Sequence, residues 1–239
     1  MTITLDIQRF DPQRDSTPRR QIYQVDVEPT DRILDALMHI SRHEDGTLAF
    51  RKSCAHGVCG SDAMRINGTE RLACKTLVRD VAEHDGDMVT LDPLNHMPVQ
   101  KDLMVDQGVF LEKFRGVQPF LKPKDAAPER GEFLQSAEER SLIDDATKCI
   151  NCGACYSACP VLDENPDFLG PAALVAAARF AFDSRDEGLS SRLDILDDPN
   201  AVWSCDNHFE CTRVCPRDIK ITKLINFTKR AIMKQKDEK

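Results

Sequence analysis

The sequence predicts an α+β protein in which a small strand-bearing N-terminal domain precedes a mostly α-helical C-terminal one. Three observations predict it. Apolar and polar residues alternate with period two only in the early part of the chain, around Ile3 to Ile7, Tyr23 to Val27 and Met88 to Leu91. Helical spacing dominates after Gly131. Ten cysteines fall in tight runs separated by these patterned stretches.

The first two alternating stretches flank the polar, Pro-containing segment Asp11 to Pro18, which reads as strand, turn and strand. Thr30 then precedes Asp31 to Ile40, whose apolar residues recur at helical spacing, with Gly46 as a stop. Arg51 to Cys74 is rich in Gly and Cys with little periodicity, and Met88 to Leu91 reads as the last strand. Strands, a crossing helix and a cysteine loop give the compact, β-grasp-like arrangement of a plant-type ferredoxin over residues 1–105.

Residues 106–135 form a connecting segment, with Pro119, Pro123 and Pro128 set among charges between Gly116 and Gly131. Ser136-Ala137-Glu138-Glu139 has the form of a capping box and opens a helical segment leading to Cys149. Pro171 to Phe182 and Ile221 to Lys234 are further helical patterns, so residues 136–239 are expected to be helical.

A composition of 41% hydrophobic and 30% charged residues is that of an ordinary globular protein, and a net charge of -8 argues against a nucleic-acid partner. The longest apolar stretch, Ala172 to Ala178, ends at Arg179, well short of the roughly 20 residues a spanning helix needs. Any membrane contact is therefore expected to be peripheral. The stretch MTITLDIQRF shows neither a signal core nor a transit pattern, so the chain is expected to stay where it is made. In such a reducing compartment ten cysteines point to metal chemistry rather than disulfides.

Cys149, Cys152, Cys155 and Cys159, followed by Pro160, form the C-x2-C-x2-C-x3-C-P run of bacterial ferredoxins. In that run three thiolates hold one cluster and the fourth crosses to its neighbour. Cys205-x5-Cys211-x3-Cys215-Pro216 repeats the template, with His208 where a middle thiolate belongs. The crossing rule then gives Cys149, Cys152, Cys155 and Cys215 to a 4Fe-4S centre, and Cys159, Cys205 and Cys211 to a 3Fe-4S centre. Two other readings stay open. Structural zinc would suit Cys-rich knuckles, although zinc sites close at four ligands; and His208 could ligate a fourth iron, as histidine does in Rieske centres.

Near the N-terminus, Cys54-x4-Cys59-x2-Asp62-x11-Cys74 follows the plant-type 2Fe-2S spacing with Asp62 in the third ligand position. A carboxylate oxygen suits hard ferric iron. Asp62 could also be a surface turn residue in Gly60-Ser61-Asp62. His56 and the remaining histidines read as solvated or satisfied side chains, and neither a dinucleotide nor a nucleotide phosphate motif is visible.

The segment from Arg51 to Asp62, the cysteine run 149–160, Phe168-Leu169-Gly170-Pro171-Ala172, Asp183-Ser184-Arg185-Asp186 and Cys211-x3-Cys215-Pro216 together resemble the iron-sulfur subunit of succinate dehydrogenase and quinol:fumarate reductase, the complex II family. The likeness runs over essentially the whole chain, and in some members Asp holds the cluster at the position of Asp62. It implies a partner flavoprotein carrying FAD and membrane anchor subunits that bind quinone, often with haem b. It also implies a peripheral place on the cytoplasmic face of the cell membrane, and an electron path from FAD through 2Fe-2S, 4Fe-4S and 3Fe-4S to quinone. Pro160, Asp206 and His208 would lie nearest the quinone. Ubiquinone-reducing members carry Ser after the Cys-Pro, then a Trp pair, and His after the next cysteine; Val161, Asp163-Glu164 and Asp206 stand here instead, which leaves menaquinone open as the acceptor. Subunits of other flavin-dependent respiratory oxidoreductases also use such cysteine runs, usually without the N-terminal loop, and a regulatory iron-sulfur sensor would need a DNA-reading element that the acidic chain does not show.

Overall fold

The computed structural model describes residues 1–238 and separates into two compact units. The first comprises Met1–Gln107 with Ile150–Ala158, the second Gly108–Cys149 with Cys159–Lys239.

In the first unit a five-stranded mixed sheet runs in the order β2-β1-β5-β3-β4. Its strands are β1 (Thr2–Arg9), β2 (Arg19–Asp26), β3 (Ala63–Ile66), β4 (Thr69–Leu72) and β5 (Met88–Asp92). β1 lies antiparallel to β2 and parallel to β5. Alternate residues Ile3, Leu5 and Ile7 of β1 are fully buried, as period two requires of a half-buried strand. Helix α1 (Ile33–His43) buries Ile33, Leu34, Ala36, Leu37 and Ile40.

The helix begins later than Thr30 suggests. Arg32 is the N-cap, and its N–H donates to Asp35 at 3.0 Å. The first helical amides, which no turn of the helix can satisfy, find carbonyls in the segment just after β4: Ile33 N–H donates to Thr76 and Leu34 N–H to Ala73, at 3.0 and 3.1 Å. The helix start is thereby tied to the stretch that carries Cys74.

Two features correct the sequence reading. The hairpin β3–β4 lies inside the Gly- and Cys-rich segment of little periodicity; Asn67-Gly68 closes it with both residues at positive φ, the conformation that a two-residue hairpin turn demands. Nor is β5 the last strand, because β6 (Val99–Lys101) and β7 (Met104–Val105) form a small second sheet. Strands of three and two residues are too short to show alternation.

Arg9 continues the inward series of β1 yet is charged and only 4% exposed. Its guanidinium meets Asp45 at 2.6 Å, Asp102 at 3.0 Å and the hydroxyl of Thr47 at 2.9 Å. Asp102 in turn accepts the N–H groups of Phe10 and Ala49. Hydrogen bonds from Thr47, Tyr23 and Arg9 hold the Asp45 carboxyl well below the usual carboxylate range despite the opposing effect of burial. The network fixes the chain that enters the cysteine loop at Arg51.

The second unit is helical, with α2 (Gly108–Gly116), α3 (Ala137–Ser141) and α4 (Asp144–Thr147), while the short α5 (Ala154–Ser157) belongs to the first unit. Then follow α6 (Val161–Glu164), α7 (Pro171–Ala181), α8 (Leu193–Leu196), α9 (Glu210–Arg213) and α10 (Ile221–Asp237). The capping box at Ser136 forms as the sequence implies: its hydroxyl accepts from Glu139 N–H and Glu139 accepts from Ser136 N–H. α7 is the central helix, with every residue from Pro171 to Ala178 buried, and its alanines let α10 approach through Ile221, Leu224, Ile225 and Ile232. Among the described residues no helix is long and apolar enough to cross a membrane.

Part of the Pro-rich connecting segment is pinned rather than loose. Arg192 and Asp186, both with fully buried side chains, pair at 2.5 Å. Arg192 also donates to the carbonyls of Phe120 and Gln118, and Asp186 accepts Lys122 N–H at 2.6 Å. Removing one partner of such a pair leaves a buried charge unpaired, at a cost of about 3–5 kcal/mol. Arg192→Ala should therefore move the urea midpoint of the cluster-loaded protein markedly downward; an unchanged midpoint would show that the segment holds without the pair.

Candidate metal centres

In the first unit, Cys54 and Cys59 sit on an irregular loop, and Cys74 follows β4. The loop turns back on itself through Ala55, Gly57 and Gly60, all at positive φ. Its amides consequently point inward: the N–H groups of His56, Val58 and Cys59 lie 3.5, 3.4 and 3.3 Å from the Cys54 sulfur. These three amides and the Cys59 thiol lower the Cys54 pKa to about 6. Ser61 Oγ lies 3.2 Å from the Cys59 sulfur. A side chain at Gly57 would collide with Lys75, since a Cβ there would be 2.5 Å from Lys75 Cδ.

Asp62 is 2% exposed, which removes the surface-turn alternative. One carboxylate oxygen accepts Cys74 N–H at 2.5 Å. Burial, the hydrogen bond to Asp62 and its negative charge push the Cys74 thiol up to about 12. A sulfur so placed becomes a thiolate only with positive charge against it, which is what iron supplies. Donor set, inward amides and glycine cradle thus fit a 2Fe-2S centre.

In the second unit, Cys159, Cys205 and Cys211 line one cavity together with Pro160, Phe168, Pro171, Thr222 and Ile225. Cys159 and Cys211 are each 7% exposed. Burial raises both thiols, Cys159 to about 11, with the charges of Cys211 and Cys205 adding to it. The loop from Cys205 to Cys211 turns through Asn207 and Phe209, both left-handed. α10 clamps this loop: Lys229 donates to the Cys205 carbonyl at 2.7 Å, and Asn226 donates to the Asn207 side chain at 2.9 Å. Three sulfurs around one mostly apolar cavity fit a 3Fe-4S centre. His208 and Asp206 are exposed, although both border the cavity.

Of the four thiols expected at the 4Fe-4S centre, Cys152 and Cys155 belong to the first unit and are buried. Cys149 and Cys215 belong to the second and are half-buried. Gly60 comes so close to Cys152 that a Cβ on it would lie 2.5 Å from the Cys152 Cβ. Sequence reasoning missed the residues that support the thiols. Ser157, two residues after Cys155, donates to Glu70 at 2.8 Å and accepts Asn95 N–H at 2.8 Å. Thr222, Asn226 and Lys229 were legible only as members of a helix.

Comparison with known proteins agrees with this geometry. A family model described as a 2Fe-2S iron-sulfur cluster binding domain matches residues 4–112, and a 4Fe-4S dicluster domain matches residues 145–219. The chain is 40% identical over 218 residues to the fumarate reductase iron-sulfur subunit of Mycobacterium tuberculosis, covering 91% of this chain and 87% of that one. It is also 40% identical over 227 residues to the succinate dehydrogenase iron-sulfur subunit of Coxiella burnetii, covering 93% and 94%. A chain of the Mycobacterium smegmatis Sdh1 complex in the apo form superposes with a TM-score of 0.88 at 28% identity, covering 98% of this chain and 97% of that one. With both cluster domains matched and near-full-length relatives at this identity, the chain belongs to the family of succinate dehydrogenase and fumarate reductase iron-sulfur subunits.

Proposed function

We propose that this chain conducts electrons between the FAD of a partner flavoprotein subunit and a membrane quinone, as the iron-sulfur subunit of a complex II acting as succinate dehydrogenase. The observation that carries the reading is the presence, in one chain, of a plant-type site around Cys54, Cys59, Asp62 and Cys74 and a three-thiol cavity around Cys159, Cys205 and Cys211. Bound 2Fe-2S, 4Fe-4S and 3Fe-4S clusters supply one-electron chemistry in steps, and the chain's residues hold, shield and tune them. Inward amides at Cys54 stabilise negative charge on sulfur, while burial of Cys159 and Cys211 keeps water from the last centre. Anchor subunits would hold the chain peripherally at the cytoplasmic face of the membrane, haem b being theirs where present. Val161 and Asp206 stand where ubiquinone-reducing relatives carry Ser and His, so menaquinone stands beside ubiquinone as a candidate acceptor. Purified with its membrane partners, the complex should couple succinate oxidation to quinone reduction; fumarate reduction by quinol as the faster reaction would instead assign the reverse direction.

Asp62 is proposed as the fourth ligand of the 2Fe-2S centre, one oxygen held by Cys74 N–H and the other turned to iron. Asp62→Cys should assemble the cluster with an altered spectrum and potential. Asp62→Ala that leaves both unchanged would remove Asp62 from the ligand set.

For the third centre, the exposed position of His208 between two left-handed residues favours the reading in which it does not bind iron. His208→Ala should keep the electron paramagnetic resonance signal of an oxidised 3Fe-4S cluster, while His208→Cys should favour a 4Fe-4S cluster and impair quinone reduction. A 3Fe-4S signal that appears only in His208→Ala would make His208 a ligand.

A further inference from the structure

Two threonines connect the start of α10 to the three-thiol cavity. Thr222, the second residue of the helix, is 1% exposed. Its Oγ1 lies 3.6 Å from the Cys211 sulfur and 3.1 Å from Thr212 Oγ1. The backbone N–H of Thr222 donates to Thr212 Oγ1, also at 3.1 Å.

A hydroxyl has one proton to give and two lone pairs with which to accept. The Thr222 N–H lies in the first turn of its helix, where no preceding carbonyl of the helix itself faces a donor, and Thr212 Oγ1 accepts it. Thr222 is thereby placed with its hydroxyl beside the Cys211 sulfur, which the Thr212 side chain and backbone N–H also reach. A thiolate bound to iron has no proton to give, so between Thr222 and Cys211 the hydroxyl is the donor.

We infer that Thr222, oriented by Thr212, is a positioning residue that sets the reduction potential of the third centre through a hydrogen bond to the Cys211 sulfur. The inference rests on the reading that Cys159, Cys205 and Cys211 hold a 3Fe-4S cluster. Reduction adds negative charge that spreads over the sulfurs, and a donor aimed at one of them stabilises the reduced form more than the oxidised one. The bond is shielded from water, which strengthens it. Removing it should lower the potential without unseating the cluster, because Thr222 is not a ligand.

The test is a redox titration of the intact membrane complex, following the 3Fe-4S electron paramagnetic resonance signal. Thr222→Val, which keeps the shape and loses the hydroxyl, should show the signal at wild-type amplitude with the midpoint potential shifted downward. Thr222→Ser should titrate like wild type, and Thr212→Val should show a smaller downward shift. An unchanged or raised potential in Thr222→Val overturns the inference, as does a Thr222→Ser protein that behaves like Thr222→Val. If Thr222→Val fails to assemble the cluster, Thr222→Ala decides: a downward shift supports the inference, and an unchanged potential overturns it. Absence of a 3Fe-4S signal from the wild-type complex removes the cluster assignment itself, and the inference with it.

Discussion

Sulfurs that share one small centre must point inward from a backbone that turns faster than a helix or a strand allows, and the rest of the structure follows from that requirement. Both cysteine loops meet it in the same way, with residues in the left-handed region. Around Cys54 they are Ala55, Gly57 and Gly60; around Cys205 and Cys211 they are Asn207 and Phe209. A left-handed residue with a side chain costs about 1–2 kcal/mol, so the turn at Phe209 persists only because its surroundings impose it. The same turning aims amide N–H groups at sulfur, so the conformation that gathers the ligands also stabilises their charge.

Each loop is held in that conformation by elements outside it. In the first unit the Arg9 network fastens the incoming chain at Asp45, Thr47 and Ala49, and the start of α1 fastens the segment after Cys74. In the second unit α10 does the fastening, through side chains one helical turn apart that reach Cys211, Asn207 and the Cys205 carbonyl. Burying Arg9 and Arg192 would be unfavourable if either were alone; each is tolerated because carboxylates and carbonyls surround it, and each ties together stretches far apart in sequence.

The candidate ligands stood out most clearly in the chain, because cluster chemistry demands particular residue types at particular spacings and tolerates few alternatives. The long regular elements were legible too, since β1, α1, α7 and α10 are long enough to carry a period. The hairpin at Asn67-Gly68 had a local signal that the neighbouring cysteines obscured. β6 and β7 had none, being too short to alternate. Arg9, Ser157 and Thr222 were invisible as functional residues for a different reason: their partners lie 93, 87 and 11 positions away, at Asp102, Glu70 and Cys211, and only the folded chain brings them into contact.

The missing side chain at Gly60 has a consequence for speed. Gly60 follows Cys59 directly, and its backbone lies against Cys152, with no room for even a methyl group between them. On the assignment proposed above, those two cysteines serve different clusters. Electronic coupling between redox centres falls steeply with the gap that must be crossed, and bonded atoms in van der Waals contact carry it better than a space filled by solvent. On that assignment the glycine leaves a short bridge of main chain and one Cys side chain between the two sites, where any other residue would wedge them apart.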